Sequence, residues 1–412
     1  MGDHMKRAIT LGGGGPAAGL HLGVLDVLTP EIEFDVWALS CIGAWVGVIY
    51  NQCEGKNKAE QTYAFFRNNI FRNNASFSRF PLNTVFGTDW GDNWLAFLQF
   101  VFNAKNYDNL VLPNEIAESF RQTIALLCDP SRWNSGDVNQ WILNHVMAPN
   151  PFIRLLTSMM YLSNVNGLSR ICYPDSSFMK SIKFDRLKEI KPFLFHNAFS
   201  FETRDIELFS NKPVPEPRAP FKKSEKPDYK RIDAETLCAC SALPFIETTV
   251  MIGDHEYCEG ALVDTVNFWH LLDDHPDLDE IWVSRIVDAQ QIRRPKDLHD
   301  ALANLCQLFA ATVGEDDVKL FEYHVKEDKK WTGTIIEVCV DSKIDFEWSH
   351  ANLDFGRERG RLAAQAAYDK YMKVTGGKKN DTGAVRIIRC KEDIVLPGST
   401  VIAAGQAQPL PL

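Results

Sequence analysis

The sequence predicts an α/β fold with a mostly parallel central sheet. The first observation is that residues 6–52 alternate strand, glycine-rich turn, helix, strand and helix. The second is that strands and helices alternate again between Ile281 and about residue 371. Because strands joined through a helix usually pair in parallel, both series predict a doubly wound sheet with helices on its two faces.

The individual elements follow from apolar periodicity and turn residues. Short apolar runs between turn signals predict strands, and apolar residues three or four positions apart predict helices. The predicted strands are residues 8–10, 34–39, 192–195, 281–283 and 335–340. The predicted helices are residues 18–28, 43–51, 90–101, 153–160, 232–239, 298–313 and 355–371. Clustered prolines predict a loop over residues 211–230, and the end of the chain predicts a strand pair and a tail.

The composition is that of an ordinary globular protein. Of the 412 residues, 45% are hydrophobic and 24% are charged, which is enough for a large core. A formal net charge of -10 without a basic cluster argues against nucleic acid as a partner. The ten cysteines form no Cys-x-x-Cys pair, which indicates reduced thiols and a cytoplasmic location. We expect no signal stretch and no transmembrane segment, since no apolar run approaches ~18 residues.

A glycine turn, Gly12–Gly15, follows the first strand directly. Its simplest interpretation is a tight connection between strand and helix. A P-loop is disfavoured because no Lys-Ser/Thr pair ends the turn. Residues 13–18 fit the Gly-x-Gly-x-x-Gly/Ala pattern of flavin and nicotinamide sites, but the second strand lacks the acidic residue that binds the ribose. The turn also fits an oxyanion site, in which backbone N–H groups converge on a negative charge.

The second strand ends in Leu39-Ser40-Cys41-Ile42-Gly43, the outline of a nucleophile elbow with a cysteine where a serine is usual. A cysteine is a competent nucleophile, and its thiol is more acidic than a hydroxyl. The elbow and the N-terminus of the following helix both favour a thiolate at Cys41. We therefore expect Cys41 on a tight turn, with its sulfur near the amides of residues 13–15.

Two downstream segments complete a family pattern. Residues 239–245 read Ala-Cys-Ser-Ala-Leu-Pro-Phe, and Glu259-Gly260-Ala261 places a carboxylate before a turn of small residues. Together with the glycine turn and the elbow, these segments resemble the patatin-like phospholipases and acyl hydrolases. The resemblance extends along residues 6–52, 190–210, 232–290 and, more weakly, 330–375.

The resemblance implies a patatin-like three-layer fold with a Gly-rich oxyanion loop, a nucleophile elbow and a helical cap insertion. It places the oxyanion donors at Gly13, Gly14 and Gly15, the nucleophile at Cys41 and the base at Glu259. The implied organisation is a catalytic domain over residues 5–375, a helical cap over 53–185 within it, and a C-terminal extension over 376–412.

The chain departs from the family pattern at each catalytic position. Cys41 replaces serine, Glu259 replaces aspartate, Leu39 replaces the first glycine of the elbow, and Ala17 replaces the basic residue of the oxyanion loop. The paired exchange favours a retuned dyad, since Glu259 adds one methylene of reach, which suits the longer bonds of sulfur. A catalytically inactive lipid-binding or scaffold protein is the alternative, and an engineered cysteine is a third interpretation.

We predict acyl transfer or hydrolysis on an apolar acyl ester or thioester through an acyl-enzyme at Cys41, with Glu259 as base. The loss of the basic residue at Ala17 points away from ordinary phospholipids. A thiol nucleophile suits acyl exchange with coenzyme A or a carrier protein. No cofactor is expected, and no metal, because His21 and His196 lack ligand spacing. The aromatic insertion predicts a channel for the acyl chain, and a homo-oligomer is left open.

Overall fold

A computed structural model of the chain describes residues 4–79, 89–107, 113–162, 167–171, 173, 176–213, 229–268, 271–285, 292, 294–328, 331–340, 344–389, 393–394 and 402–403. The chain divides into two compact units. The large unit comprises Met1–Gly87 and Arg170–Leu412, and the helical unit comprises Thr88–Ser169. The helical unit falls inside the predicted insertion over 53–185, and the predicted domain bounds stay a prediction.

The secondary structure alternates strands and helices through most of the large unit. The strands are β1 (Arg7–Leu11), β2 (Val36–Leu39), β3 (Gly167–Ser169), β4 (Phe193–Ser200), β5 (Asp205–Ser210), β6 (Lys230–Arg231), β7 (Phe245–Glu247), β8 (Val250–Ile252), β9 (His255–Glu259), β10 (Glu280–Arg285), β11 (Thr334–Cys339), β12 (Arg386–Ile388), β13 (Asp393–Ile394) and β14 (Ile402–Ala403). The helices are α1 (Ala18–Leu28), α2 (Ile42–Gln52), α3 (Lys58–Asn69), α4 (Asn74–Arg79), α5 (Trp90–Phe102), α6 (Pro113–Cys128), α7 (Ser135–Trp141), α8 (Pro151–Leu162), α9 (Ser177–Lys180), α10 (Ala234–Ala239), α11 (Leu271–Asp274), α12 (Leu298–Asp328) and α13 (His350–Thr375).

One sheet of ten strands organises the described part of the large unit. Its central order is β12-β11-β10-β1-β2-β4, and every neighbouring pair in that series is parallel. Beyond it, β5 and β9 each pair antiparallel to β4, β8 pairs with β9, and β6 runs parallel to β5. The predicted α/β class with a mostly parallel sheet is confirmed.

The central strands bury side chains on both faces of the sheet, as a parallel sheet between helices requires. Ile9 of β1 and Trp282 of β10 lie in one apolar layer, with residues of α1, α2 and α13. Their neighbours Ala8 and Ile281 lie in the opposite layer, with Phe321 of α12. The result is a helix–sheet–helix arrangement of three layers, which agrees with the predicted fold.

Helices α1 and α13 pack backbone against backbone through glycines. A β-carbon built on Gly23 would lie 2.0 Å from the carbonyl oxygen of Arg357, and one built on Gly360 would lie 2.1 Å from that of Leu20. No larger residue fits at either position without moving a helix. This contact fixes α1, the helix that follows the glycine turn.

Three elements are longer than the sequence predicts. Helix α12 continues past residue 313, because Gly314 stays within the helix and faces Thr265 instead of ending it. Helix α13 extends by several residues at both ends. Strand β4 continues through His196 and Asn197, two polar residues that are fully buried.

The remaining predicted elements have mixed outcomes. The predicted helices at residues 90–101 and 153–160 are present as α5 and α8. The predicted C-terminal strand pair is present as β13 and β14, which are antiparallel. Most of the proline-rich loop, residues 214–228, lies outside the described residues. In the part of the chain that the structure describes, no helix has both the length and the apolar character to cross a bilayer.

The helical unit exposes several large apolar side chains. On α6, four apolar residues at helical spacing are partly or largely exposed, and this set is called the α6 face: Ile116, Phe120, Ile124 and Leu127. Phe120 is 70% exposed and Leu127 is 64% exposed, whereas Leu126 of the same helix is buried. Large exposed apolar patches in monomeric proteins usually mark a binding surface.

Candidate active site

Cys41 occupies the turn between β2 and α2. Its backbone has φ 47° and ψ -123°, a conformation that a non-glycine residue adopts only when its surroundings enforce it. The N–H of Ser40 donates to the carbonyl of Leu11 over 2.9 Å, and the N–H of Gly43 donates to the carbonyl of Ser40 over 2.9 Å. These bonds close a sharp strand-to-helix turn, the geometry that a nucleophile elbow uses.

Two glycines of α2 make this turn sterically feasible. A β-carbon built on Gly43 would lie 2.0 Å from the carbonyl oxygen of Leu11, so α2 approaches β1 closely. A β-carbon built on Gly47 would lie 2.5 Å from Cδ2 of Leu39. The space that a glycine at position 39 would leave is therefore provided by Gly47, and this explains how the elbow accommodates Leu39.

Buried asparagine side chains stabilise the elbow through hydrogen bonds. Oγ of Ser40 donates to Oδ1 of Asn197 over 2.9 Å, and Nδ2 of Asn197 donates to the carbonyl of Asp264 over 2.7 Å. Nδ2 of Asn267 donates to the carbonyl of Leu39 over 2.9 Å. Sequence reasoning missed these residues. The available signal was Asn197, an amide in the middle of an otherwise apolar strand.

Glu259 is the last residue of β9 and is buried. Its N–H donates to the carbonyl of Ala242 over 3.0 Å, and a 3-10 turn, Gly260–Leu262, follows it. A β-carbon built on Gly260 would lie 2.8 Å from Cγ of Asn197, so only glycine fits there. Asn197 therefore contacts the residue before Cys41 and the residue after Glu259, and links the two segments.

Cys41 and Glu259 lie side by side, since a β-carbon built on Gly13 would contact Cβ of Cys41 at 3.3 Å and Oε1 of Glu259 at 3.8 Å. Burial raises the pKa of Glu259 to about 7, and the neighbouring Cys41 side chain opposes this rise. Burial also raises the pKa of the Cys41 thiol well above its usual value, and the neighbouring Glu259 charge adds to this rise. The expected resting thiolate at Cys41 is therefore wrong: burial and Glu259 outweigh the lowering effect of the Gly14 backbone, and the thiol keeps its proton.

The three predicted oxyanion glycines have different surroundings. The Gly14 backbone lowers the pKa of the Cys41 thiol, an effect smaller than the rise caused by burial. A β-carbon built on Gly13 would lie 3.3 Å from Cβ of Cys41 and 3.8 Å from Oε1 of Glu259. Gly15 has φ 54°, begins a 3-10 turn and faces Phe346 instead of Cys41. Of the three, Gly13 is the glycine whose β-carbon position contacts both Cys41 and Glu259.

The same contacts argue against a dinucleotide at this turn. A pyrophosphate on a Gly-x-Gly-x-x-Gly/Ala turn needs open space in front of the glycines, so that the backbone can approach it. In front of Gly13 that space is filled by Cys41, Ala261 and Glu259.

The segment over residues 239–245 packs beside the elbow. Sγ of Cys240 donates to the carbonyl of Cys41 over 3.8 Å, and Nε1 of Trp45 donates to Oγ of Ser241 over 3.0 Å. Burial raises the pKa of Cys240 well above its usual value, with the Glu259 charge adding to it. Cys41, Cys240 and Cys258 are therefore three buried thiols whose pKa the Glu259 charge raises, but of the three only Cys41 stands on the strained turn.

His196 and His21, the two histidines considered as ligands from the sequence, are both buried. His196 is buried and stacks on Phe209 with ring centroids 5.2 Å apart. His21 is buried behind the glycine turn. Among the residues described, no group of three or more His, Cys, Asp or Glu side chains could hold a metal ion.

Comparisons with known proteins were made by sequence and by structure. The profile of the family described as Patatin-like phospholipase matches residues 9–272, more than half of the chain, and this range includes Gly13, Cys41 and Glu259. A search of curated protein sequences found no match. Among solved structures, the crystal structure of VipD from Legionella pneumophila is similar, with 11% sequence identity and a TM-score of 0.37 over 89% of this chain and 67% of that chain.

Proposed function

Because this chain belongs to the patatin-like phospholipase family, we propose that it is a lipid acyl hydrolase or acyltransferase that forms a thioester on Cys41. Family membership indicates acyl hydrolase chemistry on lipids, and the cysteine route is the further step proposed here. The observation that carries it is the placement of the buried Glu259 carboxyl group beside Cys41, which stands on a strained elbow.

In the first half of the proposed reaction, the sulfur of Cys41 attacks the acyl carbonyl while Glu259 accepts the thiol proton. The carbonyl oxygen becomes an oxyanion, which the N–H groups of Gly13 and Gly14 stabilise. The tetrahedral adduct collapses, the bond to the leaving alcohol or thiol breaks, and Glu259 returns the proton to that leaving group. The product of this half-reaction is an acyl thioester at Cys41.

In the second half, water or an acceptor alcohol or thiol attacks the thioester. Glu259 removes the proton of the attacking group, the bond between the acyl carbon and the Cys41 sulfur breaks, and Glu259 returns that proton to the sulfur. A pKa of about 7 suits Glu259 both to accept and to return a proton, because a general base works best with a pKa near the operating pH. Hydrolysis and transfer differ only in the acceptor.

We infer that acyl thioesters are better substrates than oxygen esters of the same chain length. A thiol nucleophile loses little free energy when it takes an acyl group from another thiol. An alkyl ester instead requires an acid for the leaving alkoxide, and Glu259 is the one acid identified at the sulfur. Ala17 in place of a basic residue also removes a positive charge that would attract a phosphate headgroup. A coenzyme A or carrier-protein conjugate fits these requirements.

We further propose that the apolar surface of the helical unit binds the acyl chains. The α6 face is one part of that surface, and Trp90 and Trp94 of α5, which are also largely exposed, are another. Aromatic and branched apolar side chains are the groups that contact apolar ligands and lipid. The predicted role of the insertion as a cap over Cys41 stays a prediction. A reducing compartment such as the cytoplasm is proposed as well, since the mechanism needs a free Cys41 thiol.

Intact-mass spectrometry after incubation with matched acyl thioesters and oxygen esters tests this function. One acyl group should add to the wild-type chain, faster from the thioester, and Cys41→Ala should abolish the adduct. Cys128→Ser is the matched control, because Cys128 is exposed in the helical unit and should be irrelevant.

Two results would contradict the cysteine mechanism. One is an adduct that forms equally fast in Cys41→Ala. The other is a Cys41 no more reactive than the other nine cysteines toward any acyl donor, which would favour the inactive lipid-binding alternative. Equal or faster acylation by a phospholipid would contradict the thioester preference alone.

A further inference from the structure

His21 is the fourth residue of α1, it is fully buried, and both of its ring nitrogens are hydrogen bonded. Nε2 is 2.8 Å from the carbonyl oxygen of Gly12, and Nδ1 is 2.9 Å from Oγ of Ser284 on β10. A carbonyl oxygen only accepts hydrogen bonds, so Nε2 carries the proton. Nδ1 then accepts from the Ser284 hydroxyl, and the tautomer and orientation of the ring are both fixed.

The charge state of His21 agrees with this arrangement. Burial lowers the pKa of His21 to about 4, so the ring is neutral at pH 7. A neutral ring donates one hydrogen bond and accepts one, and the two partners of His21 use both. Ser284 is itself buried, so water does not compete for this contact.

The contact with Gly12 also determines the direction of the next backbone N–H, that of Gly13. In a trans peptide the C=O and the following N–H lie in one plane and point in opposite directions. Holding the Gly12 carbonyl toward His21 therefore directs the Gly13 N–H away from His21. Gly13 is also the glycine that packs against Cβ of Cys41 and Oε1 of Glu259.

We propose that His21 is a positioning residue for the oxyanion site: by holding the Gly12 carbonyl, it aims the Gly13 N–H at the oxyanion that forms on Cys41. The inference rests on the acyl-transfer function proposed above. His21 touches neither the substrate nor the sulfur, and acts through the Gly12–Gly13 peptide. Ser284 acts one step further back, by fixing the ring.

Two substitutions of His21 separate this role from simple packing. In His21→Asn, the amide group reaches only as far as Nδ1, so the bond to Gly12 is lost. In His21→Gln, the amide nitrogen stands as many bonds from Cα as Nε2 does, and it can still donate to Gly12. Ser284→Ala keeps the bond to Gly12 but releases the ring.

Two reagents separate the oxyanion site from the nucleophile. Acylation of Cys41 by a p-nitrophenyl ester builds an oxyanion, whereas alkylation by iodoacetamide does not. His21→Asn should slow acylation by ~10²-fold or more, the usual effect of losing an oxyanion donor, while alkylation stays within about twofold. His21→Gln should recover most of the acylation rate, and Ser284→Ala should lie between the two.

Hydrogen exchange of the peptide containing residues 11–16 gives a second readout that does not depend on turnover. His21→Asn should speed exchange of the loop amides, and His21→Gln should not. Equal losses of acylation and alkylation in His21→Asn would mean a structural role only, and no loss of either would equally overturn the proposal. If the wild type is alkylated but never acylated, the proposed function fails and the exchange data alone decide on His21. Should His21→Asn not fold, Ser284→Ala decides: it must slow acylation more than alkylation.

Discussion

The elbow region of the large unit and the helical unit use their residues in opposite ways. Around Cys41, glycines bring backbone atoms within van der Waals contact, and buried amides such as Asn197 are hydrogen bonded. In the helical unit, large apolar side chains such as Phe120 and Trp90 stand exposed, where they contribute little to a core. The difference fits the roles proposed above, in which a tightly packed region carries out the chemistry and a region with unburied apolar surface binds the acyl chain. Each prediction below tests one side of this contrast.

The largest effect is expected at the base. Glu259→Gln keeps the size of the side chain but removes its ability to accept the thiol proton, so turnover should fall by roughly 10²- to 10⁴-fold. Steady-state kinetics with an acyl thioester measures this. Asp254→Asn is the matched control, because Asp254 lies exposed at the turn between β8 and β9, and its turnover should equal that of the wild type. A Glu259→Gln variant with full activity would exclude Glu259 as the base.

The second effect concerns stability. Gly43→Ala places a β-carbon 2.0 Å from the Leu11 carbonyl oxygen, so α2 must move away from β1. We expect a loss of about 3 kcal/mol or more, at the upper end for single substitutions. Gly91→Ala in α5 is the matched change in the helical unit. Its β-carbon would lie 3.6 Å from Oδ1 of Asp89, and alanine favours a helix, so stability should hold or rise slightly. Thermal unfolding followed by circular dichroism compares the two, and similar shifts would remove the contrast between the regions.

The third effect is a pH dependence of stability at Glu259. Its pKa is raised to about 7 in the folded chain, above the usual value near 4.5. The folded state therefore keeps a proton that the unfolded state loses. This contribution to stability is present below about pH 4.5 and is lost as the pH rises through about 7. Relative to Glu259→Gln, the wild type should lose on the order of 2–3 kcal/mol between pH 5 and pH 8. Urea unfolding at both pH values measures the difference, and parallel curves would show that Glu259 is ionised in the folded state at both.

The fourth effect is a pH dependence of the acylation rate. Acylation needs Glu259 in its ionised form, so below its pKa of about 7 the rate should fall about tenfold per pH unit, with a plateau above it. The raised pKa of the Cys41 thiol places no second inflection near neutral pH. Single-turnover acylation from pH 5 to pH 9 provides the profile. An inflection that persists unchanged in Glu259→Gln would belong to another group.

Most of the fold could be predicted from the sequence, because the glycine turns and the alternation of strands with helices are local signals. The positions of Cys41 and Glu259 could also be predicted from local signals, since each residue stands at the end of a strand next to small residues. The protonation state of Cys41 could not be predicted in this way, because it depends on burial and on a carboxyl group more than 200 residues away in the chain.

The residues that support the site could not be predicted from the sequence either. Gly47 makes room for Leu39 across the interface of β2 and α2, and His21 reaches Gly12 and Ser284 only after α1 has docked on the sheet. A sequence shows such residues as a glycine or a histidine in a helix, without their partners. They become interpretable only once the tertiary structure places them.

The smallest effect is expected from the helical unit, and it decides whether that unit contributes to recognition. Phe120→Ser with Leu127→Ser changes two exposed residues of the α6 face, so stability should change by no more than ~0.5 kcal/mol. If this face binds acyl chains, hydrolysis of a long-chain thioester should fall several-fold, while a short-chain thioester of the same leaving group is unaffected. Arg121→Gln on the same helix is the control, because its exposed ion pair with Glu118 lies outside the α6 face. Equal losses on both chain lengths would indicate damage to the fold, and no loss on either would leave chain recognition entirely to the large unit.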